Sequence, residues 1–299
     1  MRAAVALVAF FDVLIAGVFH ASVLFLVAAG LQLVFGVQRI VNLACGSFYA
    51  LGAYFGITAV NWTAAHGAPG WSFLPVLIAS GIVLGAIGPF IERLLRTVYR
   101  RDEAFQLLLT FALVLMFQDM LRFFWGANPQ QLGNLSMSYG KVTLGEVSFP
   151  TYNVLVMAAS LAIAVSLGLF LKRTRYGRIL RATAENREMA EALGADVKKI
   201  YAGVFTLGTI LGTVGGALVV PTAAASLDMP VELVVEAFAV VVIGGLGSMR
   251  GALAGALVVG LTRALAITFY AELEVLAIYV IVIAVLVARP AGLFGKPVE

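Results

Sequence analysis

The sequence predicts an all-α polytopic membrane protein with about eight or nine transmembrane helices, some of them interrupted or re-entrant. Three observations predict this class. The 299 residues are 62% apolar and 12% charged, whereas soluble domains have about 25% charged residues. The apolar residues form runs of about 20, which is the helical length that crosses a bilayer core roughly 30 Å thick. Glycines, 31 against 9 prolines, interrupt some of these runs. Soluble enzymes, disordered regulators and nucleic-acid-binding modules are therefore excluded.

Eight apolar runs define the predicted spans in chain order: 11–37, 44–62, 73–91, 104–125, 150–171, 200–221, 233–270 and 273–289. The first is too long for a secretory signal and more spans follow it, so we expect it to be retained. The run at 233–270 is too long for one helix, and Gly244, Gly245, Gly247 and Gly251 interrupt it. It is either two passes or one pass with a re-entrant segment. We expect a single transmembrane domain over 1–299.

Basic residues predict the orientation. Of the 20 Lys and Arg, four lie in the connection 92–103 and eight in the connection 172–199, whereas 126–149 contains only Lys141. Because short loops rich in Lys and Arg stay in the cytoplasm, we expect the two basic connections there. The net charge of +4 is thus a feature of membrane topology and does not indicate a nucleic-acid partner.

The remaining connections follow from this orientation. The loop 126–149 then lies outside, as a small hairpin lid or a plain connector. The N-terminus lies outside if 11–37 is one pass, although Arg2 argues for the opposite side.

The cytoplasmic loop 172–199 contains a candidate docking helix. Its less polar positions recur at spacings of three and four, which predicts one amphipathic helix over 179–193; these positions are Ile179, Ala182, Asn186, Met189 or Ala190, and Leu193. Arg181 with Glu185, and Arg187 with Glu191, are i,i+4 pairs of opposite charge. Gly194 stands where a helix C-cap is expected. The helix either lies on lipid headgroups or docks into a groove on a cytoplasmic partner.

Three stretches carry a family resemblance, and they occur in the following order: Arg39-Ile40-Val41-Asn42-Leu43-Ala44-Cys45-Gly46-Ser47-Phe48-Tyr49; Ala184-Glu185-Asn186 with Ala190 and Gly194; and Gly244-Gly245-Leu246-Gly247-Ser248 with Gly251 and the ending Arg289-Pro290-Ala291-Gly292-Leu293-Phe294-Gly295. The chain resembles the permeases of ABC importers for branched-chain amino acids. The second stretch is similar to their cytoplasmic coupling loop. Cys45 stands where the family commonly has histidine.

The resemblance implies a permease subunit of the plasma (inner) membrane. Its partners would be two cytoplasmic ABC ATPases, a second permease in a homodimer or heterodimer, and an external solute-binding protein. The implied substrates are leucine, isoleucine and valine, with urea, short amides or other small organic solutes as alternatives. The chain has no Gly-x-x-x-x-Gly-Lys-[Ser/Thr] phosphate loop, so we expect ATP hydrolysis on a separate chain and no cofactor here. The residues expected to couple to the ATPase are Arg181, Glu185, Asn186, Met189, Ala190, Leu193 and Gly194.

Glycine spacing predicts close helix packing and two broken helices. Gly208, Gly212 and Gly216 recur every four residues, as do Gly247, Gly251 and Gly255; small residues at this spacing let helix backbones approach in lipid. Gly-Ser pairs also interrupt an early and a late apolar run. Paired interruptions of this kind point to discontinuous helices around a substrate site. The residues expected on the translocation path are Asn42, Cys45, Gly46, Ser47, Gly247 and Ser248.

Ionisable residues within apolar runs are often functional. The candidates are Asp12, His20, Asp119, Glu236 and Arg263, with Gln32, Asn42 and Gln118 as neutral polar residues. Arg263 is expected to pair with a carboxylate. No cluster has metal-ligand spacing, and no nucleophile with a base suggests an enzyme. An ion-coupled secondary transporter is the alternative from another class, but it would call for mid-membrane carboxylates, and few of the 16 acidic residues qualify.

Overall fold

The computed structural model describes residues 2–98, 101–133, 138–144 and 147–295. Over this part of the chain the elements are α1 (Arg2–Gln38), α2 (Cys45–Ala65), α3 (Phe73–Gly85), α4 (Gly88–Leu95), α5 (Glu103–Trp125), β1 (Lys141–Leu144), β2 (Val147–Pro150), α6 (Thr151–Arg173), α7 (Arg175–Glu185), α8 (Arg187–Ala192), α9 (Val197–Val219), α10 (Met229–Gly244), α11 (Met249–Tyr270) and α12 (Glu274–Ala288). The helical membrane class is confirmed. The two antiparallel strands form the small hairpin that the sequence left open for 126–149.

By length and composition, six stretches of the described residues are long and apolar enough to cross a membrane: 10–38, 70–98, 104–125, 151–173, 197–219 and 249–288. This is fewer than the eight or nine expected. The stretch 249–288 contains both α11 and α12. α10 has 16 residues, about 24 Å of helix and less than a bilayer core. α2 is long enough, but its small and polar residues lower its hydropathy.

The apolar run at 233–270 folds as two helices. α10 and α11 lie antiparallel, because Gly244 packs on Gly251 and the carbonyl oxygen of Val240 faces Gly255. Residues 245–248 break the helix between them. Gly251 does not interrupt the run as expected, because it lies inside α11. Gly245 and Gly247 have φ values of 93° and 79°, a backbone region that glycine adopts without strain. The two glycines therefore end one helix and allow the chain to turn into the next.

α9 is the central helix of the core, in contact with α1, α2, α3 and α4. Backbones approach closely at its glycines: a methyl group on Gly208 would lie 3.0 Å from the carbonyl oxygen of Gly30, and one on Gly216 would overlap the carbonyl oxygen of Tyr49. Gly52 of α2 leaves no room for a side chain against Thr213. The close packing predicted from the four-residue glycine spacing is confirmed at these positions.

Both basic connections lie at one end of the bundle, which we call the basic end. A guanidinium nitrogen of Arg96 lies 3.4 Å from the carbonyl oxygen of Lys198, and the side-chain amide of Gln38 donates to Tyr201 over 2.9 Å. α1 runs antiparallel to α9 and therefore begins at the opposite end. Arg100 of the first basic connection lies outside the described residues.

We call the opposite end the hairpin end, because β1 and β2 lie there. The Tyr139 hydroxyl donates to the carbonyl oxygen of Trp71 at 2.9 Å and accepts from the N–H of Leu74 at 2.8 Å. These bonds hold the connections 63–72 and 126–149 together. Residues 134–137 and 145–146 of the latter lie outside the described residues. The two connections that are poor in Lys and Arg therefore share one end.

Candidate functional site

The predicted docking helix over 179–193 is two helices. Asn186 ends α7 and begins α8: its backbone is extended, with φ −148° and ψ 103°, and its side-chain oxygen accepts the N–H of Met189 at 2.9 Å. Asparagine is a preferred N-cap because it satisfies a backbone donor that the first helical turn leaves unpaired. The expectation of a single helix was wrong because the spacing rule detects the shared face and not the cap.

The apolar face of α7 and α8 is turned outward. Met189 is 58% exposed and Leu193 82% exposed, and Ile179 is exposed as well. We refer to these three side chains as the α7/α8 surface. The residues that α7 buries instead are Gly177, Leu180 and Thr183, with Ala190 buried from α8.

Polar contacts hold this unit in shape. Arg187 pairs with Glu191 at 3.3 Å, as expected. Arg181 does not form the expected pair with Glu185, since its guanidinium donates to the carbonyl oxygen of Leu171 at the end of α6. Gly194, at φ 87°, ends α8 as predicted: its N–H bonds to Glu191, and the next N–H bonds back to Ala190, which together form a Schellman motif.

The unit is joined to two membrane helices. Gly177 packs directly on the backbone of Leu171 in α6. The Tyr176 hydroxyl donates to the carbonyl oxygen of Ile200 in α9 at 3.3 Å, and the Arg187 guanidinium lies 5.5 Å from the ring centre of Tyr201. A force applied to α7 and α8 therefore reaches both α6 and the central helix.

Asp196 caps α9 beside this unit. Its carboxylate accepts the backbone N–H of Lys199 at 3.2 Å and pairs with the Lys199 ammonium at 3.1 Å. The hydrogen bonds from Lys199 hold the pKa of Asp196 below its ordinary value. The negative charge also lies at a helix N-terminus, where the helix dipole stabilises it.

The first helix break lies between α1 and α2, just before the predicted Gly46-Ser47 pair. Arg39, at φ 57°, is the non-glycine residue with positive φ in the described part of the chain. Its N–H closes α1 by bonding to Phe35 at 2.9 Å. Asn42 is buried, and its side-chain oxygen accepts the N–H of Ala44 at 3.1 Å. The chain thus leaves the end of α1 in a non-helical segment of six residues before α2 begins.

The other N-terminal residues predicted for the path are packed in the interior. Cys45 is 7% exposed, and a side chain at Gly46 would overlap the carbonyl oxygen of Pro230 at the start of α10. Ser47 is fully buried, and its hydroxyl has no hydrogen-bond partner among the described residues. This group lies between α9 and α10.

The second break is held by Gln32 of α1. The Gln32 amide donates to the carbonyl oxygen of Gly245 at 2.9 Å, and its oxygen accepts the N–H of Gly247 at 2.6 Å. Ser248 caps α11 by accepting the N–H of Gly251 at 3.1 Å. The sequence marked Gln32 only as a polar residue in an apolar run and missed this clamp. The available signal was an amide side chain at a depth where it needs a partner.

Three cavities of about 670, 620 and 520 Å³ surround this break, and Gly247 lines all three. Ser248 lines the second and third. The third also reaches Arg181 and Ala184 of α7. The third cavity therefore lies between α7 and the break at 245–248. Of the residues predicted for the path, Gly247 and Ser248 border this space directly.

Four ionisable side chains meet between α1, α10, α11 and α12. Glu236 accepts from His20 at 2.9 Å and pairs with Arg263 at 2.9 Å, while Arg263 also pairs with Glu274. The expected pairing of Arg263 with a carboxylate is therefore confirmed, and Arg263 pairs with two, Glu236 and Glu274. No group of three or more His, Cys, Asp or Glu in the described residues is arranged to hold a metal ion.

Comparison with known proteins decides the family. The model of the branched-chain amino acid transport system / permease component family matches residues 13–286. The chain belongs to this family. It is 27% identical over 300 residues to the high-affinity branched-chain amino acid transport system permease protein BraD of Pseudomonas aeruginosa, covering 95% of each chain. It is 26% identical over 299 residues to LivH of Escherichia coli, a protein of the same description, covering 94% of each.

A third relative has a similar description. A probable branched-chain amino acid transport permease protein LivH of Methanocaldococcus jannaschii is 27% identical over 264 residues, with 85% of this chain and 79% of that protein covered. The resemblance found in the three sequence stretches is therefore confirmed. The chain is a multi-pass membrane protein of a transport permease family, and the helical fold agrees with that role.

Proposed function

We propose that the chain is the membrane-spanning permease subunit of an ATP-driven importer of the inner membrane. The observation that carries this proposal is the α7/α8 surface, an exposed apolar face on a short helical unit braced against α6 and α9. Such a face fits into a groove on a partner protein. In this proposal the basic end is cytoplasmic, in agreement with its Arg and Lys content, and the partner is an ABC ATPase that binds and hydrolyses ATP.

Closure of the ATPase would then move α7 and α8 as a unit. The Leu171 contacts of Gly177 and Arg181 transmit that movement to α6, and the Tyr176 bond transmits it to α9. α9 packs along α1 and α2, whose break lies beside it. The coupling residues proposed on the sequence keep that assignment: Arg181, Glu185, Asn186, Met189, Ala190, Leu193 and Gly194.

The proposed cargo is a branched-chain amino acid. Support comes from the names of the relatives that match nearly the whole chain. A solute-binding protein would deliver the cargo at the hairpin end, and a second permease, identical or homologous, would complete the pathway. The alternative cargo is urea or a short amide. Measuring which solute the solute-binding protein binds distinguishes the two possibilities.

The translocation path is proposed to run along the two breaks. Gly247 and Ser248 border the cavities, whereas Asn42, Cys45, Gly46 and Ser47 are buried. Ser248→Cys should react with a membrane-impermeant maleimide from the basic end. Cys45, the single native cysteine, should become reactive only while the complete transporter turns over ATP. If both sites resisted labelling in every state, the path would lie elsewhere.

An ion-coupled secondary transporter is the second candidate, and one observation favours it. The side chains of His20, Glu236, Arg263 and Glu274 form an ion-paired network inside the helical bundle, which is the type of group that proton-coupled transporters use. Both carboxylates are already paired with Arg263, however, so each would have to release it to carry a proton. Uptake driven by a proton gradient without any ATPase would establish this alternative.

The test of the proposed function is binding of the ATPase at the α7/α8 surface. The double variant Met189→Glu and Leu193→Glu should abolish co-purification with the ABC ATPase subunit of the importer, because burying a carboxylate in an apolar groove is costly. Trp71→Glu, an equally exposed apolar position at the hairpin end, is the matched control and should leave binding unchanged. Equal binding by the double variant and the control would contradict the proposal.

A further inference from the structure

A cavity of about 670 Å³ lies at the basic end, between the end of α1, the start of α5, α7 and α10. Its walls are mainly apolar, with Phe35, Leu107, Phe238 and Leu246 among them. Arg39 is the positively charged residue in the cavity lining. The volume falls in the range of about 300–1,000 Å³ found for small-molecule sites, which combine apolar walls with a few fixed polar groups.

Arg39 stands where a helix normally has glycine. It follows the last residue of α1 in the left-handed region, at φ 57°, and its N–H bonds back to Phe35. Glycine is the usual residue at this point because it has no side chain to clash with the backbone. A strained backbone at a residue with a charged side chain is often found where that side chain has a function.

The charge of the Arg39 side chain is not neutralised by an acidic partner within the described part of the chain. The side chain is exposed, and among the described residues no carboxylate lies within ion-pair distance of it. A guanidinium in a partly apolar recess is suited to a bidentate contact with a carboxylate. An arginine that only added to the overall positive charge of this end would not need a strained backbone position beside a cavity.

We propose that this cavity is a binding site for a carboxylate with an aliphatic side chain, in which Arg39 binds the carboxylate and the apolar walls hold the side chain. The inference rests on the proposed function, since it names where the cargo is held before it leaves at the basic end. The position is suited to that role: Gly247 of the second break and Ala184 of the coupling loop line the same cavity. Binding of a ligand in the cavity can therefore act on the second break and on the coupling loop.

The test uses a cysteine reporter and needs no transport. Leu246→Cys, on the cavity wall and 52% exposed, is labelled with maleimide in the purified full chain in nanodiscs of neutral lipid; native Cys45 is buried. At twice its dissociation constant, leucine should slow labelling about threefold, because the rate falls by 1 + [L]/Kd. 4-Methylpentanoate, which keeps the carboxylate and lacks the amine, should also protect. Leucinamide, which lacks the carboxylate, should not.

Two arginine variants decide the role of Arg39 on the same reporter background. Arg39→Gly should abolish protection while leaving thermal stability equal or higher, because glycine relieves the strained backbone. Arg93→Gln, which removes an exposed positive charge at the same end, should retain protection. Equal protection by leucinamide, or protection that survives Arg39→Gly, would overturn the inference. So would the absence of protection by leucine, or protection by anionic lipid headgroups in place of leucine. Failure of ATPase binding at the α7/α8 surface would contradict the proposed function and leave this result unaffected.

Discussion

Replacing Gln32 by alanine should release the break between α10 and α11. The side chain is 3% exposed and makes two short hydrogen bonds, to the carbonyl oxygen of Gly245 and from the N–H of Gly247. Hydrogen bonds between membrane helices contribute about 0.6–2 kcal/mol each, so the pair contributes about 1–4 kcal/mol. Gly245 is buried, and leaving its carbonyl without a partner adds to the cost. We therefore expect a loss of about 2–4 kcal/mol in the free energy of unfolding.

The assay is thermal unfolding of the purified chain in detergent. A loss of this size should lower the melting temperature by about 5–10 °C, on the scale known for soluble proteins of somewhat smaller size. Gln32→Met keeps the side-chain volume and removes both hydrogen bonds. It should therefore lower the melting temperature as Gln32→Ala does, but without the additional loss from the cavity that alanine creates. Gln118→Ala is the control, because Gln118 is half-buried and makes a single bond, to Leu227 at 3.0 Å.

One result would refute this reasoning. If Gln32→Met lowered the melting temperature no more than Gln118→Ala does, the clamp would not hold the break in place. The glycine backbone conformations would then be sufficient to define it, and Gln32 would be a polar residue with an incidental pairing. Labelling of Ser248→Cys should also become faster in Gln32→Met if the clamp restrains this loop.

Three further experiments test other parts of the fold. Gly46→Ala should destabilise the chain by about 1–3 kcal/mol or more, because the new methyl group overlaps the backbone of Pro230. Gly168→Ala, in open space on α6, should stabilise the chain by up to about 1 kcal/mol, and the melting temperatures of the two variants test this difference. Asn186→Ala should cost about 1 kcal/mol of α8 stability and weaken ATPase binding in a pull-down, while Asn186→Asp should not. Because the pKa of Asp196 is lower in the folded chain than in the unfolded chain, its ionised carboxylate stabilises the fold above the unfolded-state pKa, and this stabilisation is lost as the pH falls through the folded-state pKa. Melting curves between about pH 5 and pH 3 should show this loss in the native chain and not in Asp196→Asn.

Several features of the fold could be predicted because they depend on local patterns. Apolar runs predicted most of the long helices, and basic residues predicted which connections share an end, as the Arg96–Lys198 contact confirms. The C-cap at Gly194 followed from a residue type with one dominant conformational use. The break at 245–248 was predicted from its glycines, and the two helices that it separates lie antiparallel.

The rest depends on tertiary contacts that no local pattern contains. Gln32 and Gly245 are 213 residues apart in sequence, so the clamp could not be derived from either neighbourhood. Arg181 prefers the carbonyl oxygen of Leu171 to Glu185 because α7 folds back on the end of α6. The exposed side of α7 was likewise undetermined, since periodicity identifies an apolar face without saying what covers it.

ATP dependence of uptake tests the central claim most directly. The chain would be reconstituted into proteoliposomes with its second permease, its ATPase and its solute-binding protein, and leucine uptake measured with the native chain and with the Met189→Glu, Leu193→Glu variant. We expect uptake that requires ATP hydrolysis and is abolished in the variant. Leucine uptake by the native chain without the ATPase, driven by an ion gradient, would contradict the account.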